Sequence, residues 1–296
     1  MAVVLDRSQR WRVLLAHAFL IVLCALVVFP FLVVLSVSFR PGNFATGSLI
    51  PDAISLEHWR YALGMSYQAA DGSLVEPELP VLRWLWNSIK VATLSGVITL
   101  VLSTTGAYAL ARMRFAGRKH VLTGLMLMQM FPAVLALVAI YAIFDRLGSA
   151  FPAFGIDSHW SLLLAYSGGI AMHVWVIKGY YDTIPYEVEE AATVDGATPW
   201  QAFVYVLLPM AMPILLVVFL LSFIGAVIEY PVASVLLNTD QNLTLAVGIK
   251  KFVAEHNFRW GDFSAAAILS GVPITVVFML AQKWMVAGLT AGGIKG

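Results

Sequence analysis

The residues best placed to do chemistry lie between Lys178 and Pro209, where Glu187, Glu189, Glu190 and Asp195 share a short stretch with Ala191, Ala192, Gly196 and Ala197. Carboxylates beside small side chains that leave backbone near the surface suit docking into a groove that offers basic residues. The competing reading is an amphipathic loop resting on lipid headgroups. Such segments are rich in Lys and Arg, and the stretch after Lys178 has neither before Pro209.

Local signals say how these residues are held. Pro185 suits a first helical turn, and Glu187, Glu189 and Glu190 favour the positive end of a helix dipole. Gly196 then ends that helix as a left-handed cap. Thr198-Pro199-Trp200-Gln201 opens a second helix with a capping box. The spacing predicts two short helices joined at one glycine, a compact knob.

Covalent chemistry is not encoded. There is no G-x-x-x-x-G-K-[ST], no H-E-x-x-H, no G-x-S-x-G and no C-x-x-C. ATP hydrolysis and bond cleavage are thereby excluded, and any energy must come from a partner or an ion gradient. The lone Cys24 leaves no intrachain disulfide to form.

Composition fixes the solvent. Of 296 residues, 60% are hydrophobic and 12% charged, against about a quarter charged in a soluble domain. This is a membrane protein. A net charge of +1 without a basic, aromatic-laced patch gives no sign of nucleic-acid binding. A bilayer crossing needs about 20 apolar residues, and six stretches qualify, near 13–38, 88–111, 121–144, 161–177, 209–229 and 264–286. Unbroken apolar runs such as Ile214–Leu221 lack the alternation of a barrel, so the expected architecture is an all-α bundle. Arg7, Arg10 and Arg12 imitate a signal-peptide start, but the following apolar run is too long and reads as a retained span.

Within the spans, polar groups point to a pathway. Gln129 precedes Phe131-Pro132, a proline that should kink the third span beside an amide and could shape a gate. His173 and Ser167 either pack or line the same route. Glu229 and Lys90 fall at span ends and read as interface anchors. The segment 40–86, rich in proline and tryptophan, and the segment 230–261, with the alternating run Asn242–Val247, are expected outside the spans.

Glu190-Ala191-Ala192, Gly196 and Val206-Leu207-Leu208-Pro209 resemble the EAA loop of permease subunits in binding-protein-dependent ABC importers, with Val206 where that family usually has Ile. Segments 42–51, 129–135 and 288–293 extend the resemblance over nearly the whole chain, towards members that carry maltose and maltodextrins. The resemblance implies a type I importer permease (MetI-like) fold with six transmembrane helices. It implies a tail, first helix and periplasmic loop over 1–84, a transport core over 85–286 with its coupling loop at 178–209, and a cytoplasmic tail over 287–296. Glu190, Ala191, Ala192, Asp195, Gly196 and Ala197 would couple to the ATPase, with Gln129, Pro132 and His173 as candidate gate residues. Implied partners are a homodimer of ABC ATPase subunits, a second permease subunit, a periplasmic sugar-binding protein and lipid of a bacterial inner membrane, with no cofactor and no nucleic acid. A self-sufficient carrier or channel, and a scaffold without a pathway, are the readings from other classes. A proton-coupled carrier would want a carboxylate near mid-membrane, and every Asp and Glu falls at a span end or in a loop.

Orientation rests on Arg112, Arg114, Arg118 and Lys119, packed without an acid between spans two and three. They place this loop, the knob and both termini on the cytoplasmic side. Cysteines introduced at Asn43 and Asn257 should be labelled from outside intact cells, and those at Gly117 and Asp195 should not. External labelling of Asp195→Cys would invert the topology.

Overall fold

Backbone groups in hydrocarbon have no water to turn to, so apolar runs close their hydrogen bonds within helices. The computed structural model describes residues 7–69, 72–254 and 257–291. Its helices are α1 (Arg7–Ser38), α2 (Glu57–Ala62), α3 (Val81–Arg112), α4 (Arg118–Gln129), α5 (Leu137–Ala150), α6 (His159–Ser167) and α7 (Ala171–Tyr181). There follow α8 (Glu187–Val194), α9 (Pro199–Ala202), α10 (Leu208–Ile228), α11 (Pro231–Leu236), α12 (Leu245–Gly248) and α13 (Trp260–Ala291). Among the described residues four helices are long and apolar enough to cross a bilayer, and two bent pairs, α4 with α5 and α6 with α7, bring the number to as many as six.

The chain divides into two compact units. The first comprises 1–78 and 249–269. It contains α1, whose apolar side chains stay exposed over most of its length as a lipid-facing helix demands. It also has two short antiparallel hairpins, β1 (Tyr67–Gln68) with β2 (Leu74–Val75) and β3 (Val253–Ala254) with β4 (Asn257–Phe258).

The polar centre of this unit is His58, which is fully buried. Its Nδ1 lies 2.7 Å from Asp262 Oδ1, and its Nε2 lies 3.0 Å and 3.1 Å from the carbonyl oxygens of Arg40 and Gly42. Every one of these partners accepts, so both ring nitrogens donate and the side chain is an imidazolium. Asp262 also accepts from Asn43 Nδ2 at 3.2 Å and from Arg259 Nε at 2.7 Å. The Arg259 guanidinium in turn sits 4.3 Å from the centre of the Tyr61 ring. A Cβ at Gly261 would come within 2.0 Å of His58 Nε2, so the ring rests against bare backbone there.

The second unit comprises 79–248 and 270–296. Its axis is α3, which packs against α6, α7, α10 and α12. One core cluster gathers Ala107, Leu110, Val174, Ile177, Tyr181, Phe203, Leu207 and Leu215. Another joins Ala92, Phe223 and Val227 with Ile274 and Val277. α3 starts at Val81, well before the expected 88, so a boundary between 84 and 85 falls inside a helix. Arg83, Asn87 and Lys90 dilute the hydropathy of its first turns. Trp84 Nε1 donates to Asp240 O at 2.7 Å, Asn87 Nδ2 to Leu243 O at 2.9 Å, and Leu245 N to Ser88 Oγ at 2.8 Å. These bonds also explain why the alternating run 242–247 is no strand: Leu243, Thr244 and Leu245 are all buried, and α12 begins within it. At the other end α13 carries the helix through 287–291, which the sequence suggested as tail, while 292–296 lie outside the described residues.

Burial alone would depress the His58 pKa. The hydrogen bond and charge of Asp262, with Glu57 and the Gly42 carbonyl, more than offset it and hold the value above that of a free histidine. The stabilisation is therefore complete below the unfolded value, about 6.5, and is lost as pH rises through the raised folded value. Amide exchange across 40–43 and 57–62, normalised for its intrinsic pH dependence, should stay slow at neutral pH and quicken in alkali. Protection that never weakens in alkali would contradict a charged His58.

Candidate functional site at residues 178 to 209

Two short helices and a glycine form the knob. α8 spans Glu187–Val194, Gly196 takes φ +92°, and α9 opens at Pro199. Thr198 and Gln201 complete the capping box, with Thr198 Oγ1 accepting from Gln201 N and Gln201 Oε1 accepting from Thr198 N at 2.8 Å. Pro185 differs from expectation: it precedes the helix, its carbonyl accepting from Val188 N at 3.4 Å, because α8 begins only after Tyr186. A π-helical turn, Phe203–Leu207, then joins α9 to α10.

The acids of the knob are not equivalent. Glu189 is buried, 5% exposed, and meets Arg112 of α3 with an Nε–Oε1 distance of 2.5 Å. Arg112 also donates from Nη2 to Ile184 O at 2.9 Å and lies over the Tyr186 ring. Its guanidinium therefore clamps the last turn of α3 to the entry of the knob and to its first turn. Glu187, Glu190 and Asp195 face outward, as do Ala191 and Gly196, whereas Ala192 and Ala197 are half-buried. Val194 is 87% exposed, with Trp200 and Tyr205 exposed nearby in sequence. The outward surface thus combines carboxylates, apolar side chains and accessible backbone. A Cβ placed on Gly196 meets nothing within 4 Å.

The gate candidates are arranged differently from a kinked helix. α4 ends at Gln129, Pro132 adopts an extended backbone, and α5 leaves at 83° after a 3-10 turn at Ala133–Ala136. The helix is broken between Gln129 and Ala133, since proline both lacks the N–H and bars its predecessor from helical geometry. Gln129 Oε1 accepts from Met172 N at 3.0 Å, filling an open donor in the first turn of α7. His173, the next residue, pairs instead with Ser222 of α10, Nε2 to Oγ 3.1 Å. Gln129 and His173 therefore meet the same helix start, while no hydrogen bond among the described residues joins Pro132 to either.

Beside His173 is a cleft of about 220 Å³ among α3, α6, α7 and α10, largely apolar in surface but with Ser95, Thr99, Tyr166, Ser222 and Glu229 in its lining. Glu229 is more than an interface anchor. Its carboxylate accepts from Val232 N at 2.8 Å, Ala233 N at 2.9 Å and Tyr166 Oη at 2.7 Å, capping α11 and tying it to α6. Glu229-Tyr230-Pro231, an acid two residues before a helix-opening proline, was the available signal. The Tyr166 pairing had none.

A family profile described as binding-protein-dependent transport system inner membrane component matches residues 103–290. A protein of Yersinia pestis named maltose/maltodextrin transport system permease protein MalG is 58% identical over 296 residues, covering 100% of this chain and 98% of that protein. The protein of that name from Escherichia coli K12 is 56% identical over the whole of both chains. Among solved structures, a bacterial ABC transporter involved in alginate import aligns over 94% of this chain and 98% of its own with a TM-score of 0.77 at 22% identity. The inward-facing MetNI methionine ABC transporter aligns over 70% of this chain and 95% of its own, with a TM-score of 0.55 at 15% identity. The fold is that of ABC importer permeases.

Removing one member of a buried ion pair strands the other, typically at about 3–5 kcal/mol. Arg112→Ala should therefore markedly lower the thermal unfolding midpoint of the purified chain, while Arg112→Met combined with Glu189→Met recovers most of it. An unchanged midpoint in Arg112→Ala would mean that the pair does not hold the knob.

Proposed function

We propose that this chain, which belongs to the family of binding-protein-dependent transport system inner membrane components, is the permease subunit of an ABC importer that carries maltose and maltodextrins across a bacterial inner membrane. The names and full-length identity of its relatives support the cargo. The chain is a multi-pass membrane component and not an enzyme. Its partners are ABC ATPase subunits acting as a homodimer, a second permease subunit and a periplasmic sugar-binding protein. Both termini and the knob are cytoplasmic, in keeping with the basic run from Arg112 to Lys119.

The observation that carries this reading is the outward face of the knob: Glu190, Ala191, Asp195 and Gly196 exposed beside a bare Val194, on two capped helices clamped from behind by Arg112. Glu190, Ala191, Ala192, Asp195, Gly196 and Ala197 form the coupling surface, entering a basic groove of the ATPase. ATP-driven closure of the two ATPase subunits displaces the knob, and the α3 and α10 helices attached to it rock the 85–286 core between outward and inward access. The broken third span, with Gln129 holding the start of α7 and Pro132 at the break, supplies a joint that such rocking can use, and His173 lines the cleft beside α7.

Gly196 separates docking from folding. A side chain there costs about 1 kcal/mol for the positive φ, and nothing within the chain obstructs it. Gly196→Asp should leave the protein inserted and abundant but abolish maltose uptake, with the ATPase either lost on purification or hydrolysing ATP without transport. Glu190→Ala should give a milder loss. Wild-type uptake together with wild-type ATPase co-purification in Gly196→Asp would remove the knob as the coupling element.

A further inference from the structure

Where α3 gives way to α4, the chain forms an open cavity of about 580 Å³, within the range of ligand pockets, roughly 300–1000 Å³. Its walls divide by chemistry. Leu110, Phe115 and Leu122 supply apolar surface, while Arg118, Lys119 and Lys178 supply cationic nitrogen, and no lining residue is acidic. Lys178 has a carboxylate of its own, Asp182 at 2.5 Å, but among the described residues Arg118 and Lys119 have none. Arg118 reaches only the Ala111 carbonyl, at 3.4 Å.

The cations therefore repel one another beside a low-dielectric wall. The acid-free first turn of α4, which carries Arg118, Lys119 and His120, adds the positive end of its dipole to the same field. An anion relieves all of these terms at once. A small soluble anion would leave the apolar wall wet, whereas an amphiphile fills both halves. The cavity is lined from the C-terminal end of the α3 span and the start of α4, where a spanning helix leaves the hydrocarbon for the headgroups. Basic pockets between spanning helices at such a level are suited to lipid headgroups.

We propose that this cavity binds an anionic glycerophospholipid, its phosphate among Arg118, Lys119 and Lys178 and the first methylenes of its acyl chain against Leu110, Phe115 and Leu122. The site is independent of cargo and requires only that the ends of α3 and α4 meet the bilayer surface. Leu110 lies two residues before Arg112, so an occupied cavity braces the same turn of α3 that holds the knob.

The test is native mass spectrometry of the full-length chain, purified in non-ionic detergent and supplied with phosphatidylglycerol or phosphatidylcholine. Phosphatidylglycerol should be retained selectively. Each of Arg118→Gln and Lys119→Gln should weaken retention roughly fivefold, as expected for one basic group at an anionic lipid surface. Lys178→Gln, which lies outside the loop that sets topology, should act in the same direction, whereas Lys250→Gln with Lys251→Gln should not. Equal retention of phosphatidylcholine, or undiminished retention of phosphatidylglycerol in all three cavity variants, would overturn the proposal. So would displacement of the lipid by millimolar inorganic phosphate, which would identify a soluble-anion site instead.

Discussion

A helix that breaks inside hydrocarbon leaves N–H and C=O groups that nothing in the solvent can satisfy, and this constraint shapes the second unit. The structure meets it with side chains sent across from other elements. Gln129, at the end of α4, accepts from Met172 N where α7 restarts after the break at Gly168-Gly169. Glu229 serves two amides of α11 immediately after α10 stops. Arg112, at the far end of α3, takes up the carbonyl of Ile184 where the chain leaves α7 for the knob. Each of these three interruptions is thereby a joint with an identified donor and acceptor, and unbroken α3 is the rod against which they are arranged.

The knob follows the same logic with charge in place of amide. Its inner acid, Glu189, is committed to Arg112 and is unavailable to any partner, so the outer surface presents Glu187, Glu190 and Asp195. In the proposed coupling, a rigid inner attachment lets an outer push move a span. If the knob were hinged to α3 by exposed, water-screened charges, displacement of its face would be absorbed locally, because such pairs contribute only about 0–1 kcal/mol. Burial of the pair, and the stacking of Arg112 on Tyr186, keep the attachment stiff.

Local chemistry was legible in the sequence and distant pairing was not. The capping box at Thr198–Gln201 and the left-handed Gly196 depend on neighbours a few residues apart, and both stand where the spacing put them. The spans were visible as apolar runs, except where α3 begins with Arg83, Asn87 and Lys90 and where proline divides the third. The kink expected at Pro132 is an 83° break, and the 50° bend between α6 and α7 had no signal, because hydropathy records composition and not direction. Which glutamate faces inward was equally hidden: Glu187, Glu189 and Glu190 look alike in a row, and only the arrival of Arg112 from 77 positions away distinguishes them. His58 with Asp262, and Asp157, were missed for the same reason. Asp157 holds φ +64° while its carboxylate accepts from the amides of Asn238 and Thr239, and these bonds keep its pKa low despite partial burial.

The π-helical turn at Phe203–Leu207 bears on how the motif should be counted. Each residue of an α-helix advances about 100° around the axis, and a π turn fits one more residue into its ring than an α turn does. The interval between Gly196 and Leu208-Pro209 is thus an angular setting as well as a length: it fixes the azimuth at which the face of α9 stands relative to that of α10. A one-residue deletion there could heal into regular helix with every hydrogen bond intact and still turn the knob by more than a quarter of a circle. The spacing in this loop therefore sets a phase relationship, which a substitution preserves and an insertion or deletion changes.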